Sequence, residues 1–225
     1  MGLGLVNVIA LHSVLVEFHG GMLTLAVICI IATVVARSRV KLQKTNESLG
    51  SFWPGNSSSG RVARYTEPTA YLGEIGALFG IVASAIVGFF VWPLDLITTT
   101  SLGLSKVMFS VFTLELVAIV VFLRAKYGQN LWIKAGTATV YAFTAILSFI
   151  LMVIAASFGG HMALKGSILD PLYAFIGLNP EKLGITTTNF WIITVIVSVV
   201  IIIVPLATFI YSHRRNPVKD ESTSK

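Results

Sequence analysis

Five long runs of apolar residues, set apart by polar stretches, dominate the chain. A hydrocarbon core about 30 Å thick asks a helix for about 20 such residues. The runs predict helices over about 5–36, 71–94, 102–123, 131–158 and 190–211. The first is longer than a span requires, so its start should project past the lipid. The second ends at Trp92-Pro93, the third at the polar stretch 124–128 and the fourth at Gly159-Gly160. Pro205 predicts a kink in the fifth, because proline removes a helix hydrogen bond. Residues 37–70 read as a flexible loop, with linker composition over 51–60. Residues 159–189 read as a second loop, in which Asp170-Pro171 resembles an N-cap followed by proline at the first helical position. Residues 172–178 are apolar enough to lie on a membrane surface as a short helix. The expectation is an all-α, single membrane domain over 1–225, a bundle of five transmembrane helices.

Composition strengthens that picture. The 225 residues are 55% hydrophobic and 12% charged, against roughly 25% charged in soluble domains. The mean hydropathy is +0.85. The formal net charge of +6 does not mark a nucleic-acid binder, because the basic residues flank apolar runs rather than forming a basic face. Arg37, Arg39, Lys41, Lys44, Arg61 and Arg64 follow the first run, Arg124, Lys126 and Lys134 the third, and Arg214, Arg215, Lys219 and Lys225 the fifth. Thirteen of the sixteen thus fall on one side, with Lys106, Lys165 and Lys182 opposite. The positive-inside rule then predicts an N-out, C-in chain in a cell membrane. Asn46-Glu-Ser48 and Asn56-Ser-Ser58 have the form of glycosylation sites, but this topology places them inside, as chance matches. The first residues lack a basic n-region and a small-residue cleavage site, so they read as retained. Cys29 is the single cysteine, which rules out a disulfide within the chain. No solenoid repeat, GxSxG elbow, Walker loop, CxxC pair, CxxCH or HExxH pattern occurs, which argues against a hydrolase, a nucleotide-driven pump and covalent haem.

Ionisable residues inside lipid are costly and mark candidate sites. His12, Glu17 and His19 lie in the first run. Seven residues turn a helix by about 700°, which puts His12 and His19 on one face about 10 Å apart along the axis. Counting one bilayer thickness from the basic residues places His12 and His161 near the outer surface, His19 slightly deeper and Asp95 at the same level. Imidazoles take haem b as axial ligands, and the glycine pairs Gly20-Gly21 and Gly159-Gly160 would let a flat ring approach the backbone. A transition metal on His12, His19, His161 and Asp95 is the alternative. The plainer reading is hydrogen-bonded interfacial histidines without a ligand. His213, beside Arg214-Arg215, reads as an interfacial anchor. Glu115, near the middle of the third run, is a possible proton relay, although a neutral, hydrogen-bonded structural carboxyl is the cheaper reading. Glu74 reads as close to the inner interface. Gly76, Gly80, Ser84 and Gly88 form a stripe of small residues on the second helix, for packing within the chain or in a homodimer seam.

The segment from His12 to His19 resembles the HPxxVHFP-like opening of a family of small bacterial and archaeal membrane domains with four helices. His12, Val16 and Phe18 match, Glu17 stands at the family's second histidine and His19 at its proline. Residues 83–88 followed by Asp95 are similar to the close of the family's second helix. Residues 158–166, with Gly159, Gly160 and His161, resemble its GG(x)LVYxHG-like tail. The likeness covers the chain to about Gly166 and implies a haem-binding or redox-associated role.

The expected function is a non-catalytic b-type cytochrome subunit passing electrons between quinol and an outer-face redox partner. Its axial ligands would be His161 with His12 or His19. A cofactor-free accessory or assembly subunit of a membrane complex is the alternative. A small transporter is third, disfavoured because five helices give no even inverted repeat.

Overall fold

The computed structural model describes residues 2–46, 58–133, 135–182 and 185–215. Among them every regular element is helical. In sequence order these are α1 (Gly2–Asn46), α2 (Ser58–Val91), α3 (Leu94–Thr99), α4 (Ser101–Tyr127), α5 (Ala135–Met162), α6 (Asp170–Phe175) and α7 (Thr187–Arg215). Short 3₁₀ turns occupy Gly128–Trp132 and Pro180–Lys182. Lipid offers no hydrogen bonds, so each spanning segment must satisfy its own backbone, and a helix does that within itself. The hydroxyls in these helices follow the same logic. Ser13 donates to the Ile9 carbonyl, Thr24 to Gly20, Thr113 to Phe109 and Thr144 to Val140.

Four described helices are long and apolar enough to cross a membrane: Asn7–Arg39, Gly60–Val91, Ser101–Trp132 (with the 3₁₀ turn) and Ala135–Met162. The described apolar stretch of α7, Thr187–Ile203, is shorter. The expected loop over 37–70 is corrected, because α1 continues to Asn46 and α2 begins at Ser58, carrying Pro68 inside it. α7 runs on through Pro205. The glycosylation-type triplets and the linker fall largely on residues 47–57, outside the described residues, as do Lys134, Lys219, Lys225 and the His213 side chain.

α1 packs along α2 and α4 along α5, with further contacts of α2 and α7 on α4 and of α1 on α5. The core runs in three clusters. Cys29, Ile30, Val120, Trp132 and Tyr141 occupy the end that carries Arg37 and Arg124. Leu23, Ala77, Ile81, Val117 and Met152 fill the middle, and Leu104, Met108, Phe112 and Phe190 lie toward the start of α4. The outer surface is apolar as well, with Ile28, Phe79, Phe90, Phe143 and Ile196 exposed. A lipid-facing exterior accounts for that inversion, since scattered polar groups would be costly there.

The small-residue stripe of α2 meets α1. A Cβ on Gly80 would lie 2.6 Å from His19 Cβ, and one on Gly88 would lie 3.1 Å from the His12 ring. Gly76 meets Met22. Small side chains here let two backbones close up. At the far end Gly128 takes φ +51°, where its N–H caps the Arg124 carbonyl and ends α4.

Candidate functional site

α1, α2, α4 and α5 enclose a cavity of about 520 Å³ near the start of α4. Its walls are mainly apolar, and His12, Glu17, His19, Trp92, Lys106 and Ser110 supply polar groups. The other hydroxyls of the wall are spent locally: Ser13 donates to the Ile9 carbonyl, Ser84 to that of Ile81 and Thr113 to that of Phe109.

Both imidazoles are set by backbone. His12 Nδ1 lies 3.1 Å from the Ser84 carbonyl oxygen, so α2 fixes a ring that α1 carries. His19 Nδ1 lies 2.8 Å from the Leu15 carbonyl oxygen, one turn earlier in its own helix. A carbonyl only accepts, so in each hydrogen bond Nδ1 carries the proton, and in the neutral ring Nε2 keeps its lone pair. Backbone orientation of one ring nitrogen, leaving the other for a ligand, is the usual arrangement at metal-bound histidines.

His161 is placed elsewhere. It does not line this cavity, and its Nε2 is 2.9 Å from Asp170 Oδ1. Asp170 Oδ2 in turn accepts from the Ser167 backbone N–H at 2.8 Å, closing the turn between α5 and α6. Asp95 sits exposed on α3. Among the described residues no three His, Cys, Asp or Glu side chains converge on one point. Of the four expected metal ligands the structure therefore brings His12 and His19 to one cavity and leaves His161 and Asp95 apart from it. Gly20 and Gly159 line the cavity, whereas Gly160 packs against the Gly166 carbonyl.

In comparison with known proteins, no family model, no curated protein and no solved structure matches the chain. The resemblance to the four-helix family thus stays a likeness of short motifs.

The bundle also holds groups the sequence did not single out. Lys106, counted among the outer-side charges, lines the cavity with its ammonium 5.3 Å from the Trp92 ring centroid. A Cβ on Gly159 would stand 3.2 Å from its Nζ, so the glycine makes room for the amine. Glu74, expected near an interface, is fully buried and accepts from Tyr141 Oη at 2.6 Å. Glu67 is buried between two arginines: Arg37 Nε donates to it at 2.8 Å, and an Arg124 amine lies 3.8 Å away. Glu67 and Glu74, seven apart on one face of α2, were the available signal. Glu115 is half-buried, with Oε2 lacking a hydrogen-bond partner, and does not line the histidine cavity.

Proposed function

We propose that the protein is a membrane-embedded, b-type cytochrome-like subunit that transfers electrons at the outer face of a cell membrane, spanning it five times with N-out, C-in orientation. The observation that carries this reading is the pair of imidazoles on the cavity wall, each with Nδ1 committed to a carbonyl. The residues present fit a haem b in part. A cavity of about 520 Å³ is within the usual ligand-site range of ~300–1,000 Å³. His12 or His19 would hold the iron through its free ring nitrogen. The two are about 10 Å apart along α1, too far to serve one iron together. His161, held by Asp170, gives way in this reading to Met162, the thioether on the α5 wall. Bound there, haem would supply one-electron chemistry, while the chain holds, orients and shields it from water. Quinol and a redox protein are the proposed exchange partners.

The test is a dithionite-reduced minus oxidised spectrum of the purified protein, with haem quantified. A b-type α band at near-stoichiometric haem is expected. It should vanish in whichever of His12→Ala and His19→Ala removes the ligand, and shift in Met162→Leu. A folded sample without haem would sink the proposal. In that event the cofactor-free accessory subunit takes its place. The observation that favours it is that His161 is already satisfied by Asp170, as a purely structural histidine would be.

A further inference from the structure

We infer that the cavity between α1, α2, α4 and α5 binds an amphipathic oxyanion, whose acidic head meets Lys106 and Trp92 and whose apolar body lies along the bundle interior. Wall groups that find partners inside the protein leave a distinct remainder. Among the described residues no carboxylate oxygen lies within 4.0 Å of Lys106 Nζ. The ammonium instead rests over the Trp92 ring. Trp92 Nε1 is itself buried without a hydrogen-bond partner. An indole N–H and an ammonium only donate, so the group that completes them must accept. Glu17 is the one carboxylate on the cavity wall, and it is exposed.

An ammonium held beside apolar walls without a counter-charge is expensive, and an anion in the same space removes that cost. A lysine at a helix end can snorkel its amine to the headgroups. Here the stem turns instead toward Gly159, whose missing Cβ opens the space the amine occupies. Beyond the head, Ile81, Val107, Leu114, Met152 and Ala155 present apolar surface. Charge complementarity at one end and an apolar wall beyond it select a ligand with an oxyanion head and a hydrocarbon or ring body. A free long-chain acid, a phospholipid and the propionate edge of a haem share that chemistry. The inference does not rest on the haem reading, and a sample without a haem spectrum leaves it standing.

The probe is parinaric acid, a fluorescent long-chain carboxylic acid, with its methyl ester as the uncharged control, titrated against the full chain in neutral detergent. Saturable binding of the acid is expected, with the ester at least about tenfold weaker. Lys106→Met should bring acid and ester to equal affinity, and Lys106→Arg should restore the difference. Trp92→Phe keeps a ring under the ammonium and loses only the N–H, so the acid should weaken several-fold and the ester should not. This variant carries the test if Lys106→Met does not fold. Competition by hemin identifies a porphyrin acid as the source, competition by dihexanoylphosphatidylglycerol a lipid phosphate, and competition by neither a free acid. Absence of saturable binding in a haem-free sample, equal affinity of the wild-type protein for acid and ester, or a preference that survives Lys106→Met would overturn the inference.

Discussion

Glu74 offers two carboxyl oxygens to a fully buried site, and only one is served. Tyr141 Oη donates to Oε1 at 2.6 Å, while Oε2 has no partner. The Tyr141 ring is held edge-on by Trp132 at 5.5 Å, and Arg37 lies over Trp132 at 5.6 Å. A phenol, an indole and an arginine thus lie in series between two buried acids. An unsatisfied buried polar group costs about 1–3 kcal/mol. Tyr141→Phe should therefore lower the melting temperature in detergent by that order of free energy. Glu74→Leu in the same background should recover part of the loss, because the stranded carboxyl is then gone. Independent, additive losses in the double variant would show that the Tyr141–Glu74 hydrogen bond contributes nothing. Glu67 follows a different rule. Its partners differ in exposure, 40% for the Arg37 side chain and 11% for Arg124, so solvent screens the first pair far more than the second.

α1 and α2 share the most extensive helix–helix contact in the described bundle, and small residues on α2 permit it. The Cβ of any larger residue at position 80 would lie 2.6 Å from His19 Cβ, closer than side chains approach. Overpacking of this kind costs about 1–3 kcal/mol. Gly80→Leu should push α1 and α2 apart, lower the melting temperature and disturb the His19 ring, which shares the contact. Gly21→Ala is the control. Nothing lies within 4 Å of a Cβ there, and alanine favours helix by about 1 kcal/mol over glycine. If Gly80→Leu melts like the parent, the stripe is not a packing seam. The same stripe also carries the carbonyl that holds His12, through Ser84. Packing and site geometry are therefore coupled along one face of α2.

The assembled bundle exposes much apolar surface, and two interior zones gather buried polar groups. One, at the end of Arg37, Glu67 and Arg124, is closed by ion pairs. The other, around His12, Lys106 and Trp92, is a cavity with open donors. Under the proposed N-out, C-in arrangement the ion-paired end faces the cytoplasm and the cavity the outside. Single cysteines at Gly2 and Ser224 in a Cys29→Ser background should label from opposite sides with an impermeant maleimide. Labelling of both from one side would leave an even number of spans and remove α7 from the membrane. A five-span chain also requires that α7, whose Phe190 packs with Leu104, Met108 and Phe112, sits against α4 within the lipid.

Helical class and membrane character were legible in one dimension. Apolar run length against bilayer thickness and the need for self-satisfied backbone are properties of local sequence. The stops at Trp92-Pro93 and 124–128 also came through, because proline and the glycine turn act on their own neighbours. Helix extents did not: α1 and α2 continue through polar residues that hydropathy assigned to a loop. Pairing was decided only by the packed chain. Depth counting set His161 level with His12, but which way a side chain faces depends on its neighbours, and Asp170 takes it away from the cavity. Lys106 read only as an outer-side charge; the fold brings Trp92, just past α2, and Gly159 of α5 beside it. Hydropathy reports how much a segment favours lipid, whereas a site is made by side chains from separate helices meeting at one point, and that meeting is fixed by close packing.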